Sequence, residues 1–318
     1  MPEEEGETIN TSKPQVIAVV GPTATGKTEL SVMLAQKLDG EIISADSRLI
    51  YRDFNIGTAK PTPEERKGIP HYMIDIEDPK NTYTAGRYKK DASKIIQEIL
   101  DKGKVPIVVG GTGFYVKALL DGLDIPEIEP DEEYREEMYR LAEAKGNDAL
   151  HSILKEIDPE SAEKIHPNNM PRVIRALEVC HVTGSKFSDV QSISPPAYDV
   201  VYIGLNTMDR NALYNRINLR VLMMMERGLV NETKNLIIKY GRTTPLLKTL
   251  GYKEICDYFD GACSLNETVE KIQQNTRNFS RKQLTWFRAN KDINWFYIDE
   301  MRIDEICDRV IPLVRRGD

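Results

Sequence analysis

The chain has 318 residues, 40% of them hydrophobic and 29% charged, with a formal net charge of −7. That is a globular composition, long enough for one large domain or two smaller ones, and no apolar run approaches the roughly 18 residues of a membrane span. The acidic leader MPEEEGETINTSKP lacks the apolar core of a signal peptide, and Cys180, Cys256, Cys263 and Cys307 lack C-x-x-C spacing. Reduced thiols in a cytoplasm are therefore expected, in place of a zinc site or a disulfide framework.

In chain order, residues 1–14 read as a disordered leader. QVIAVV (15–20) is a β-branched apolar run that ends in a glycine loop, and TELSVMLAQKL (28–38) has helical periodicity. EIISA (41–45), HYMIDI (71–76) and VPIVVGG (105–111) read as further strands, with an amphipathic helix over 84–103 between the last two. Strands alternating with helices predict a parallel sheet with right-handed crossovers, an α/β fold of the P-loop NTPase-like kind flanked by helices. GFYVKALLDGL (113–123) follows, and then strand formers give way to an acidic helical stretch. Residues 125–195 are read as an all-helical insertion into a core of residues 15–124 and 196–318, with Pro126, Pro130, Pro195 and Pro196 at its ends. DVVYIGLN (199–206) is a strand, RNALYNRINLRVLMMMERG (210–228) a long helix, and more helices run to about Arg288 before a last strand over 293–299.

The charge is uneven. Asp121–Asp148 holds 11 acidic and 3 basic residues, whereas Ile165–Arg288 holds 17 basic and 11 acidic. An acidic chain can present a locally basic surface to a nucleic acid, because binding responds to the local field. The alternative is a set of solvated helix faces.

GPTATGKT (21–28) matches G-x-x-x-x-G-K-[ST] between a predicted strand and a predicted helix, the context that makes a phosphate loop credible. Gly21, Pro22, Thr23, Ala24, Thr25, Gly26, Lys27 and Thr28 would cradle phosphates with backbone N–H groups at a helix N-terminus. Lys27 adds charge and Thr28 offers a hydroxyl to Mg²⁺. The motif leaves open which phosphate is held. Asp46 ends the second strand, where P-loop folds place the ligand crevice. With Ser44, Ser47 and Arg48 it forms a polar cluster after an apolar strand; it is either a functional carboxylate or a turn residue.

These segments occur in order with ISADSRLIYRDFNIGTAKP, GIPHYMIDIEDP, IVVGGTGFYVKALL, HPNNMPRVIRALEV, YNRINLRV, LGYKEI and TRNFSRKQLTWFR. Together, over about residues 15–290, the sequence strongly resembles the tRNA dimethylallyltransferases, the tRNA isopentenyltransferases of bacteria. The resemblance implies that the loop holds dimethylallyl diphosphate and that the prenyl group passes to the exocyclic amine of the adenosine 3′-adjacent to the anticodon. It implies catalytic roles for Asp46 as proton acceptor, for Thr23 and Lys27, and for Arg216 or Arg220 on the leaving diphosphate, with Mg²⁺ on Thr28. It implies contacts to the tRNA anticodon stem-loop from Asp46, Ser47, Arg48, Leu49 and Thr112, from Pro171, Arg172, Val173, Ile174 and Arg175, from Lys248, Gly251, Tyr252 and Lys253, and from Arg281, Lys282, Gln283 and Arg288. Trp286 is either a stacking ring or a core residue. A cytoplasmic monomer without membrane association is expected.

Two departures stand out. Leu49 replaces a glutamine common in the family and cannot hydrogen-bond a base. Met170–Pro171 stands where aspartate, proline and a basic or polar residue would be expected, a change expected to loosen one helix start. No Cys/His zinc module follows Arg288, as in a bacterial-type enzyme. Alternatives are an adenylate isopentenyltransferase acting on free AMP or ATP and, in a different class, a P-loop kinase or nucleotide-binding module.

Overall fold

The computed structural model describes residues 13–125, 128–190 and 194–314. Leader residues 1–12 and Pro126 lie outside that range. The described backbone divides into two compact units. One takes the residues up to Tyr83, Lys90–Val116 and the residues from Ala197 on; the other takes Thr84–Lys89 and Lys117–Pro196.

The elements are β1 (Gln15–Val20), α1 (Lys27–Leu38), β2 (Gly40–Ser44), α2 (Pro63–Arg66), β3 (His71–Tyr72), α3 (Ala85–Asp101), β4 (Val105–Gly110) and α4 (Gly113–Leu120). Five helices follow: α5 (Glu132–Lys145), α6 (Asn147–Ile157), α7 (Pro159–Lys164), α8 (Met170–Thr183) and α9 (Phe187–Val190). The chain then forms β5 (Asp199–Asn206), α10 (Arg210–Glu226), α11 (Leu229–Tyr240), α12 (Tyr252–Phe259), α13 (Leu265–Arg288), β6 (Asn294–Tyr297) and α14 (Ile303–Val310).

Among the described residues six strands form one sheet, all parallel, in the order β3-β2-β4-β1-β5-β6. Ile17 of β1 lies opposite Ile107 of β4 and Val201 of β5. Val16 to Val20 are all fully buried, as expected for a central parallel strand covered on both faces, which reads as an apolar run without alternation. Ile17, Val19, Leu30, Leu34, Ile306 and Val310 belong to one apolar cluster, which packs α1 and α14 against the sheet. The chain leaves β1 toward β2 and later returns on the other side for β5. A ligand crevice therefore opens beside β1 at the carboxyl ends of the strands.

β3 and α14 both differ from expectation. β3 has two residues where six were expected. Met73 (φ +61°) and Asp75 (φ +58°) leave the extended conformation, and the N–H groups of Asp75 and Ile76 turn to the carbonyls of Leu49 (3.0 Å) and Ile50 (2.9 Å). α14 was not anticipated, because eight residues are too few for a clear helical period; its buried face, Ile306, Cys307 and Val310, is set by the cluster it joins.

The helical unit has its own core, to which Met138, Leu150, Leu154, Val173, Ile174 and Leu177 contribute. Val173 and Ile174 were expected among the RNA contacts. Their side chains are buried instead, because with Leu177 they form the inward stripe of α8. Pro171 sits in the first turn of that helix, where a missing N–H is harmless. The carbonyl of Asn169 still accepts from the N–H groups of Arg172 (2.9 Å) and Val173 (3.0 Å), so the helix start is intact.

Arg175 is engaged within the unit. Its guanidinium pairs with Glu178, a fully buried carboxylate that also holds Arg135 Nε at 2.8 Å and accepts the Asp131 N–H at 2.8 Å. Burial by itself would raise the Glu178 pKa, but the bonds from Arg135, Arg175 and the Asp131 N–H hold it below the usual carboxylate value. Arg175 is thus committed inside the unit, while Arg172 is exposed.

Because the folded-state pKa of Glu178 lies below its unfolded value, its stabilisation is present above about pH 4 and is lost as pH falls through the lower folded value. Urea denaturation of Glu178→Gln should show less acid destabilisation than wild type. Arg175→Ala should lose about 1.5–3 kcal/mol at neutral pH, the range for a hydrogen bond to a charged group, whereas Arg172→Ala should be nearly neutral.

Candidate active site

The loop between β1 and α1 is shaped by positions that resist ordinary side chains. Gly21 has φ +135°, and a Cβ there would collide with the Leu205 carbonyl. Ala24 is held at φ +65°, a conformation a non-glycine residue adopts only under constraint. Several groups supply the constraint. Thr25 Oγ1 donates to the Pro22 carbonyl at 2.9 Å and Lys27 Nζ to the same oxygen at 2.7 Å. From α10, Arg216 Nε donates to the Ala24 carbonyl at 2.8 Å. From α13, Gln283 Oε1 accepts the Thr23 N–H at 2.9 Å.

Burial and the neighbouring Arg220 cation lower the Lys27 pKa to about 7, against the pull of Asp46. Arg220 is lowered foremost by its own burial, while Asp46 and Glu65 favour its charged form. Lys27, Arg220 and Asp46 thus share one electrostatic neighbourhood. Arg216 and Arg220 are one helical turn apart on α10, and the sequence did not say which meets an anion. In this structure Arg216 fastens the outside of the loop and Arg220 stands with Lys27.

Asp46 follows β2 by two residues. Its Oδ1 accepts the Arg48 N–H at 2.9 Å, closing a turn, and Oδ2 makes no hydrogen bond among the described residues. Thr112 braces this turn: its Oγ1 accepts the Ser47 N–H at 3.1 Å and its own N–H donates to the Ala45 carbonyl at 3.1 Å. Asp46 is therefore a turn residue and also a carboxylate with one oxygen presented beside two cations. Arg48 reaches inward, with Nη1 3.3 Å from the Leu250 carbonyl and its guanidinium 5.3 Å from the Phe279 ring centroid. Leu49 is half-buried.

The other expected RNA contacts separate by exposure. Pro171, Arg172, Lys248, Lys253, Arg281, Lys282 and Arg288 are exposed. Trp286 is 47% exposed and meets Phe114 edge-on with ring centroids 6.4 Å apart, so it is not a core residue. Gln283 is buried, with its amide used inside the protein. Tyr252 is fully buried and donates its hydroxyl to Glu232 at 2.7 Å, and the Gly251 N–H donates to Glu254 at 2.7 Å. Glu232 was missed. It accepts the N–H groups of Asn55 (3.1 Å), Ile56 (2.8 Å) and Gly57 (3.1 Å), anchoring the loop after the Asp46 turn to α11. Nothing in a single sequence links Glu232 to residues so far upstream.

A family model described as IPP transferase matches residues 49–290. A curated tRNA dimethylallyltransferase of Bacillus mycoides is 48% identical over 288 residues, covering 90% of each chain. One from Caldanaerobacter subterraneus subsp. tengcongensis is 46% identical over 296 residues, covering 92% of this chain and 94% of that one. Among solved structures, the full-length tRNA isopentenylpyrophosphate transferase of Bacillus halodurans aligns with a TM-score of 0.70 at 42% identity, covering 94% of this chain and 96% of that one. A eukaryotic dimethylallyltransferase captured acting on tRNA aligns with a TM-score of 0.79 at 28% identity, covering 96% of this chain and 81% of that one.

A lysine with a pKa of about 7 makes anion binding pH-dependent. Calorimetric affinity for inorganic diphosphate should fall, relative to Lys27→Arg, as pH rises from about 6 to about 8. The limiting slope is about tenfold per pH unit, and the midpoint should lie above 7 because the bound anion favours charged Lys27. Lys27→Arg is the reference because its guanidinium stays charged throughout.

Proposed function

The chain belongs to the IPP transferase family of tRNA dimethylallyltransferases, and on that premise we propose that it moves the dimethylallyl group of dimethylallyl diphosphate to the exocyclic N6 amine of the adenosine 3′-adjacent to the anticodon of a tRNA, releasing diphosphate. The observation that carries the chemistry is the Asp46 carboxylate, with Oδ2 open, in the field of Lys27 and Arg220. The cations suit a diphosphate and the carboxylate suits an acceptor that must lose a proton. No helix among the described residues is long and apolar enough to cross a membrane, and a cytoplasmic setting agrees with a tRNA substrate.

An adenine amine is a poor nucleophile because its lone pair is delocalised into the ring. As that pair forms the new bond to the allylic carbon, Asp46 accepts the amine proton. The carbon–oxygen bond breaks with its electron pair passing to diphosphate. Lys27, Arg220 and the N–H groups at the start of α1 stabilise the charge that collects there. Thr112 keeps Asp46 aimed through the Ser47 N–H. The target base must leave its stack to reach this crevice.

For Mg²⁺, the protein offers the exposed hydroxyl of Thr28 on the first turn of α1. No group of three or more His, Cys, Asp or Glu that could hold a metal occurs among the described residues. A metal held by Thr28 would thus take its other ligands from diphosphate and water, which suits Mg²⁺. It would supply charge neutralisation on the leaving group.

Mass spectrometry of tRNA incubated with the protein and dimethylallyl diphosphate should show one added five-carbon unit on that adenosine. Free AMP should remain unmodified, and ATP should be neither donor nor hydrolysed; tRNA-stimulated ATP hydrolysis without prenylation would place the protein among kinases or motors. Asp46→Asn should slow single-turnover transfer by about 10²–10⁴-fold with diphosphate affinity nearly unchanged. Arg172→Ala should lower the salt slope of tRNA binding by about 0.7–0.9, the contribution of one phosphate contact, without changing donor affinity.

A further inference from the structure

The geometry points to Gln283 as a positioning residue that locks the donor loop to the turn after β4, whose Thr112 in turn braces the turn presenting Asp46. Its Oε1 accepts the Thr23 N–H at 2.9 Å and its Nε2 donates to the Gly111 carbonyl at 3.0 Å. One neutral side chain on α13 thereby joins the loop after β1 to the turn after β4. Gln283 is 7% exposed, so loss of its bond to Gly111 leaves a buried carbonyl without that partner, and loss of the other releases the N–H of half-buried Thr23.

The neighbourhood is built around this contact. A Cβ on Gly111 would overlap the Gln283 amide, and one on Gly113 would overlap the Trp286 ring. One turn of α13 therefore presses on both sides of Thr112, the residue whose hydroxyl braces the Asp46 turn. The same helix carries the exposed Arg281 and Lys282. The Thr23 N–H is spent on Gln283, so it orients the loop and is not a donor to the diphosphate. An amide suits this task because it both accepts and donates without adding charge beside Lys27. This role rests on the prenyl-transfer reading, and it moves Gln283 from an RNA contact to a residue acting through the loop and the turn.

Gln283→Met keeps length and apolar volume and removes both bonds. With full-length protein, its calorimetric affinity for inorganic diphosphate should fall about tenfold, which is roughly one lost hydrogen bond. Single-turnover transfer should fall about 10²-fold, the scale of a small misplacement of reacting groups, while affinity for an anticodon stem-loop RNA stays within about twofold. Gln283→Glu supplies a second readout. As an ionised carboxylate it can accept from Thr23 but opposes the Gly111 carbonyl; once protonated it reproduces both bonds. Its diphosphate affinity and rate, each taken relative to wild type to cancel the titration of Lys27, should recover as pH is lowered. The inference is overturned if Gln283→Met binds diphosphate like wild type, if its loss falls on RNA affinity instead, or if Gln283→Glu shows no recovery in acid, which also decides the matter should the methionine variant fold poorly. If wild type bound diphosphate but never prenylated tRNA, the proposed function would fail while the diphosphate comparison still tested Gln283.

Discussion

Two half-buried cations and one carboxylate share the carboxyl edge of the sheet. Lys27 and Arg220 each lose solvation and each feels the other or its surroundings strongly enough to be lowered in pKa, while Asp46 alone among the named groups pulls both the other way. The site is thus short of negative charge. A multivalent anion would relieve that shortage, and in the proposed transfer the relief would grow as charge collects on the leaving group. Each participant comes from a different element: Lys27 from α1, Arg220 from α10 and Asp46 from the turn after β2. The fold must therefore hold three segments in register against their own electrostatic cost.

It does so largely with neutral fasteners. Thr25 closes the loop internally, Thr112 braces the Asp46 turn and Gln283 joins loop to turn. Hydroxyls and amides fix direction without changing the local potential, whereas a further charged side chain would compete with the substrate. Two charged groups also fasten the loop: Lys27 on the Pro22 carbonyl, and Arg216, which binds the Ala24 carbonyl from outside, where it also steadies a residue in the left-handed region. Glu232 applies the same logic farther away, using a carboxylate to gather backbone N–H groups that the loop after Asp46 would otherwise leave unpaired.

In the helical unit charge is used differently. Glu178 is buried and consumes Arg135 and Arg175 in holding α5 to α8. Arg172, one helical turn earlier, remains exposed. A basic count along the chain therefore overstates the cations a nucleic acid could meet, and exposure separates those engaged internally from those available.

The phosphate loop, the parallel sheet and the family were legible in the sequence because each depends on local or repeated features. Glycines at fixed spacing meet the backbone demands of the loop, and apolar β-branched runs mark buried parallel strands. Asp46 stood out as a carboxylate straight after such a strand, either a turn residue or a functional one, and the structure shows the turn. The sequence also showed that Arg172 and Arg175 share a helix, but helical phase does not say which of them a buried glutamate captures. Nor did it show that Gln283 would turn inward while its neighbours Arg281 and Lys282 stay exposed. The partners of Gln283 lie 260 and 172 residues away. Such pairings exist only after the sheet has brought distant turns together, so tertiary structure alone decided which polar residues hold the site and which remain for the substrate.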